Sequence, residues 1–188
     1  MLLYIHPASN TSRPVSHYIA DNNLDIEEHV IDITKGEQHE EPYKSLNPSN
    51  QVPILVDGDF ILSESSAILK YLADTFDLPT YPKDLQKRAK VNEVMDWFNT
   101  GFYRDFGYGF VYPQLFPHHR RRSDEAQAAT IEWSKERVQR WLRILNDHWL
   151  GNDNPYLTGD ELTIADYFGA AILVCGEPMR VDFKDYPN

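Results

Sequence analysis

The hydrophobic periodicity of this chain changes once, near residue 77, and that change limits the folds open to it. Upstream, short β-like runs alternate with helical patterns; downstream, strand signals nearly vanish and apolar residues recur at helical spacing. Leu2-Leu3-Tyr4-Ile5 reads as a buried strand, and Val15, Tyr18, Ile19 and Asn22 mark one face of a helix. A second strand falls in Glu28-His29-Val30-Ile31-Asp32. A polar stretch from Thr34 to Tyr43 leads through Asn47-Pro48 to Gln51-Val52-Pro53-Ile54-Leu55-Val56. Asp57-Gly58 signals a hairpin turn before Phe60-Ile61-Leu62, and Ser63-Glu64-Ser65 opens a helix with Ile68, Leu69, Leu72 and Phe76 on one side. The predicted order is β-α-β-α-β-β-α over 1–76.

Residues 77–83, with Pro79 and Pro82, read as a linker, and 84–188 as an all-helical domain. Val91, Val94, Phe98 and Phe102 form one core stripe; Ile131, Val138, Trp141, Leu142, Leu145 and Trp149 form another. Thr163-Ile-Ala-Asp166 is a capping-box variant, with Leu162 and Tyr167 placed as a hydrophobic staple.

Charge narrows the partners. Eighteen Lys and Arg against 29 Asp and Glu leave a formal net charge of −11, which repels polyanions and lacks the counterion-release affinity of nucleic-acid binders. Nucleic acid and membrane surfaces are not expected partners. Cys175 is the only cysteine, so no internal disulfide or CxxC pair can form, and a reducing, cytoplasmic setting is expected. The N-terminal Met1-Leu-Leu-Tyr-Ile-His-Pro, without a basic n-region, reads as a strand.

The loop His6-Pro7-Ala8-Ser9-Asn10-Thr11-Ser12-Arg13 joins the first strand to the first helix, whose N-terminus offers free N–H groups and partial positive charge to an anion. A hydroxyl there either attacks as a nucleophile, which needs a base, or donates to a bound anion. No Gly-x-Ser-x-Gly elbow surrounds Ser9, so donation is favoured; the plain alternative is that Ser9 or Ser12 only caps the helix. At Val52-Pro53, a cis proline would leave the Val52 N–H and C=O unpaired by their own sheet and free to take a peptide as an extra strand. The ordinary case is a trans proline at a strand start. Glu64-Ser65-Ser66 sets a second helix N-terminus, for capping or for a carboxylate held by the Ser65 hydroxyl and N–H.

Together these residues resemble the glutathione transferases. The resemblance is carried by His6-Pro-Ala-Ser9-Asn-Thr-Ser-Arg13, Lys35-Gly-Glu-Gln38, Asn47-Pro-Ser-Asn-Gln51-Val-Pro-Ile-Leu-Val-Asp-Gly-Asp59, Glu64-Ser65 with Ala67-Ile68, and Thr163-Ile-Ala-Asp166. It is theta-like, of the serine type, with phi-like and bacterial dichloromethane dehalogenase-like features, and spans nearly the whole chain. It implies a thioredoxin-like N-terminal domain, a helical C-terminal domain, glutathione as cosubstrate with no metal, and a detoxifying homodimer. It also implies that glutathione adds its cysteinyl backbone to Val52 as an antiparallel partner, sets its γ-glutamyl carboxylate and amine on Ser65 and Glu64, and points its sulfur at Ser9. Gln51 and Pro53 flank that contact.

Several positions depart from the family pattern. Where relatives often carry a histidine for the glycyl carboxylate this chain has Gln38, with His39 beside it, and either is expected to make that contact. The redox CxxC position reads Ser9-Asn-Thr-Ser12, which disfavours protein-thiol chemistry there. Cys175 shares an apolar face with Ile164, Phe168 and Ile172 and is expected in the core. The chain ends near where relatives continue into further helices, so either it is short of the family's length or the electrophile pocket is more open. For a small hydrophobic electrophile the resemblance points to the aromatic run holding Tyr103, Arg104, Phe106, Tyr108, Phe110 and Tyr112, where helix packing is the plain alternative. His118-His119-Arg120-Arg121-Arg122 lacks the i, i+4 spacing of a two-ligand metal site and reads as a solvated loop.

Three functions compete: conjugation of glutathione to halides, epoxides or enals; a glutathione-dependent dehalogenase or peroxidase on the same residues; and a non-catalytic binding module. Ser9, Gln51-Val-Pro and Glu64-Ser65 occurring together weigh against the last, since a scaffold needs none of them as a set.

Overall fold

A computed structural model describes residues 1–151 and 154–188. The chain divides into two compact units, Met1–Tyr81 and Pro82–Asn188.

In the first unit β1 (Leu2–Ile5), α1 (Arg13–Asp21) and β2 (Glu27–Val30) form a parallel β-α-β, followed by the short α2 (Tyr43–Leu46), the hairpin β3 (Ile54–Asp57) and β4 (Phe60–Ser63), and α3 (Ser65–Thr75). The sheet order is β2-β1-β3-β4. β1 runs parallel to β2 and antiparallel to β3, with Leu3 opposite Leu55. Gly58 takes φ +60° at the first position of the two-residue hairpin loop, a conformation that glycine enters without a Cβ clash. β2 starts one residue before the predicted run and stops at Val30; all four of its residues are exposed, as befits an edge strand, and burial resumes at Ile31.

Two apolar clusters cover the sheet. Leu3, Ile5, Val15, Tyr18, Ile68, Leu69 and Leu72 are buried where α1 packs on α3, each such side chain contributing ~1.5–3 kcal/mol over its exposed state. A second cluster of Ile31, Tyr43, Val52 and Ile54, flanked by Tyr4, Ile33 and Leu46, anchors the turn before β3. Val52 is therefore a core residue by its side chain and is held in place for whatever its backbone does.

The second unit is helical. α4 (Leu85–Asp96) begins at Asp84, whose carboxylate accepts from the Gln86 and Lys87 N–H groups, and the backbone then widens into π-helical turns over Trp97–Phe102 and Arg104–Val111 before α5 (Tyr112–Leu115). α6 (Asp124–Ile144) is capped by the Ser123 hydroxyl, and α7 (Ile164–Val174) by the predicted Thr163/Asp166 box, with Thr163 N–H donating to Asp166 at 2.8 Å. Leu162 is 39% exposed, so the expected staple leaves much of it in solvent. Phe98, Phe102, Phe106, Val138, Leu142, Ile164 and Ile172 fill the core. Among the described residues no helix is long and apolar enough to cross a membrane.

Candidate functional site

A hydroxyl network joins the β1–α1 loop to the turn before β3. The Thr11 hydroxyl donates to the Val52 carbonyl at 2.8 Å, and the Ser9 and Thr11 hydroxyls lie 2.8 Å apart. The Thr11 and Ser12 N–H groups each donate to Ser9 Oγ at 3.3 Å, and the Ser65 hydroxyl donates to the Thr11 carbonyl at 2.7 Å. Three segments distant in sequence thus meet around Thr11.

Among the described residues the Ser9 hydroxyl has no hydrogen bond to a histidine ring or a carboxylate; only the Ser9 backbone N–H meets His6, at its carbonyl, 2.9 Å away. His6, three residues upstream, accepts from the Ala8 N–H through Nδ1. Without a base the hydroxyl is no activated nucleophile, and its chemistry is donation. Ser12, at the N-cap position of α1, does not cap with its side chain; its oxygen accepts from the His6 N–H. The capping alternative therefore fails for Ser12, whereas Ser9 Oγ, beside the Thr11 hydroxyl, accepts from the amides two and three residues on, as an N-cap oxygen does.

The Gln51–Pro53 turn is held from below. Asn47, 4% exposed, donates from Nδ2 to the Gln51 carbonyl at 2.7 Å, and the Tyr43 hydroxyl donates to the same oxygen at 2.5 Å. Burial pushes the Tyr43 phenol up to about 12, so it stays a neutral donor. The Val52–Pro53 bond is cis. Val52 C=O, expected to stand open, carries the Thr11 hydroxyl, while among the described residues nothing accepts from Val52 N–H. A narrow cleft runs here, lined by Thr11, Asn47, Ser49, Gln51, Val52, Pro53, Ser63, Glu64 and Ser65.

Glu64 precedes α3 at φ +70°, a conformation uncommon outside glycine, and its side chain does not cap the helix. Its exposed carboxylate remains available to the cleft. Ser65 differs from expectation: its hydroxyl proton is engaged by Thr11, so a carboxylate at this helix end would meet the Ser65 N–H.

The structure thus brings five predicted residues, Gln51, Val52, Pro53, Glu64 and Ser65, to one cleft, and links Ser9 to it through Thr11. Gln38 and His39 lie in a separate 3₁₀ turn, Glu37–His39, with Gln38 Nε2 3.2 Å from His39 Nε2, and neither lines the cleft. Sequence reasoning missed Thr11, Tyr43 and Asn47. A Ser-x-Thr spacing in a loop, which sets two hydroxyls within one turn, was the available signal for Thr11.

In the helical unit, Tyr103 is buried with its hydroxyl against that of Tyr112, and burial first, then Tyr112, pushes its phenol far above the ordinary value. Tyr108 stacks edge-on against both and is 41% exposed. Arg104 does not stand free: its Nε lies 3.2 Å from the buried Asp105, which also accepts from Arg137 and Trp141 at 2.7 Å. Burial opposes ionisation of Asp105, but these donors outweigh it and hold the carboxyl below its usual range. Cys175 is buried and its thiol pushed up to about 11, as a core cysteine should be.

Comparison with known proteins shows the family and the fold. The family described as glutathione S-transferase, N-terminal domain, matches residues 1–74, and the corresponding C-terminal domain family matches residues 113–185. Human glutathione S-transferase theta-2 is 33% identical over 184 residues, covering 97% of this chain and 73% of the relative. Among solved structures, a human theta-class glutathione transferase in complex with the glutathione conjugate of 1-menaphthyl sulfate superposes with a TM-score of 0.87 at 32% identity, covering 99% of this chain and 76% of that one. Human theta-2 in complex with glutathione and an unknown ligand gives 0.86 at 31% identity over the same shares. The chain belongs to the glutathione S-transferase family and is a theta-like glutathione transferase.

Proposed function

We propose that residues 1–76 hold glutathione along the Gln51–Pro53 turn and that Ser9 donates a hydrogen bond to the glutathione sulfur, stabilising the thiolate left when the thiol proton passes to solvent, so that it can attack a small electrophile such as a halide, epoxide or enal. The observation that carries the reading is the link from Ser9 through Thr11 to the Val52 backbone, with no base in contact with Ser9. The Val52 N–H and carbonyl take the cysteinyl backbone; Ser65 N–H takes the γ-glutamyl carboxylate and Glu64 its amine. Gln38 or His39 reaches the glycyl carboxylate.

A thiol of pKa ~8.5 is only a few per cent ionised at pH 7, and lowering it by ~2 units requires about 2.7 kcal/mol of preferential thiolate stabilisation. A hydroxyl donated to an anion supplies ~1.5–3 kcal/mol and the N-terminus of α1 adds ~0.3–1, so the two suffice. The thiolate forms a bond to carbon as halide leaves or as a polarised double bond takes the electron pair. The enzyme contributes ionisation and positioning. Tyr108 and Tyr112 supply an apolar face for the electrophile, and Arg104, paired with Asp105, a muted charge. A detoxifying role, a cytoplasmic setting and a homodimer accompany this reading through the family resemblance.

The test is a pH titration of bound glutathione by ultraviolet thiolate absorbance. Wild type is expected to show a low apparent pKa, and Ser9→Ala to raise it by about one to two units while glutathione affinity changes less than about threefold. An absent shift in the wild type, or loss of binding in the variant, would overturn the assignment of Ser9 as donor. Halide release from haloalkanes and consumption of peroxides then separate general conjugation from dehalogenase or peroxidase activity.

A further inference from the structure

Three hydrogen-bonding groups lie in a row, Ser9 Oγ, Thr11 Oγ1 and Val52 O, with 2.8 Å at each step. Their proton directions follow from chemistry alone. A carbonyl only accepts, so the single Thr11 proton lies on Val52, and the proton between Ser9 and Thr11 must then come from Ser9. In the free protein the Ser9 proton is therefore turned toward Thr11 and away from any sulfur.

We infer that Thr11 is a positioning residue that couples docking of the cysteinyl backbone at Val52 to proton donation by Ser9. The inference rests on the glutathione reading above. When a cysteinyl N–H reaches the Val52 carbonyl, it competes with Thr11 for that oxygen. The Thr11 hydroxyl turns about its Cβ–Oγ bond to Ser9 Oγ, already at contact distance, and the Ser9 hydroxyl turns to the sulfur. Two hydroxyl rotations reverse the row, and no heavy atom moves. The Ser65 hydroxyl, donating to the Thr11 carbonyl at 2.7 Å, holds the Thr11 backbone still while this happens.

The reversal does two things. It gates thiolate stabilisation on correct docking, because the donor is released only by the ligand's own N–H. It also strengthens the donor, since Ser9 Oγ then accepts from the Thr11 hydroxyl on one lone pair while the long Thr11 and Ser12 amide contacts share the other, and the added bond polarises the O–H that faces the thiolate. A threonine or serine can perform this role, because the position needs a group that both donates and accepts.

The experiment titrates bound glutathione by thiolate absorbance in wild type, Thr11→Val, Thr11→Ser, Ser9→Ala and the Ser9→Ala/Thr11→Val double variant. Thr11→Val releases the Ser9 proton from Thr11 but removes the bond that polarises it, and is expected to raise the apparent thiol pKa by about half a unit, roughly a threefold loss of thiolate at neutral pH, with glutathione affinity within about threefold of wild type. Thr11→Ser is expected to titrate as wild type, and the double variant as Ser9→Ala alone, because the two residues act in series. Thr11→Val titrating as wild type, or adding its shift to that of Ser9→Ala, overturns the coupling and leaves the Ser9 assignment standing. Ser9→Ala titrating as wild type overturns both. Should Thr11→Val fail to fold, Thr11→Ala removes the same hydroxyl without a branched side chain and carries the same expectations.

Discussion

At Glu64 a charged residue occupies backbone torsions that glycine would enter freely, and it makes no capping bond in return. Strain of this kind is ~1–3 kcal/mol and persists where the site needs the side chain or the backbone direction it enforces. Glu64→Gly should therefore raise the unfolding free energy by roughly 1 kcal/mol, while glutathione affinity falls about tenfold as the partner of the ligand's amine is lost. Urea unfolding and calorimetric titration read the two quantities separately; a fall in stability would show that the torsion carries no strain, and an unchanged affinity that Glu64 is no partner of the ligand. Ser65 beside it makes the complementary point: its residue type suggested an anion donor, but the nearest acceptor in the folded chain is the Thr11 carbonyl.

Elements meet closely where glycine lets them. On α7, a Cβ at Gly169 would come within 2.7 Å of the Phe98 ring and 3.1 Å of Leu157, and Phe98 is fully buried with no room to withdraw. Gly169→Ala should thus destabilise by about 1–3 kcal/mol through overpacking, despite the better helix propensity of alanine. A denaturant midpoint equal to or above wild type would mean that α7 can slide on the Phe98 segment. The helical stripes of α4 and α6 and the capping box of α7 were legible because periodicity and capping chemistry are local. The wide turns over Trp97–Phe102 and Arg104–Val111 were not, since the aromatic stripe reads alike in α and π geometry.

For the molecule as a whole, acid stability should depend on Asp105, a buried carboxylate meeting Arg104, Arg137 and Trp141. Its folded pKa lies below the unfolded value of about 3.9, so its contribution is present above that value and is lost as pH falls through the folded pKa. Asp105→Asn should lower stability by about 3 kcal/mol at pH 7, leaving two arginines without their anion. The gap from wild type should narrow below roughly pH 4; a gap constant with pH would assign the loss to packing. By itself the sequence determined the thioredoxin-like order of elements, the helical remainder and most of the cleft-lining residues, because alternation, turn chemistry and helix ends are set by near neighbours in the chain. Only the tertiary structure decided which hydroxyl faces which oxygen. Thr11 meets Val52 across 41 residues and Ser65 meets Thr11 across 54, and a hydrogen bond forms only between groups that the whole fold carries to within ~3 Å.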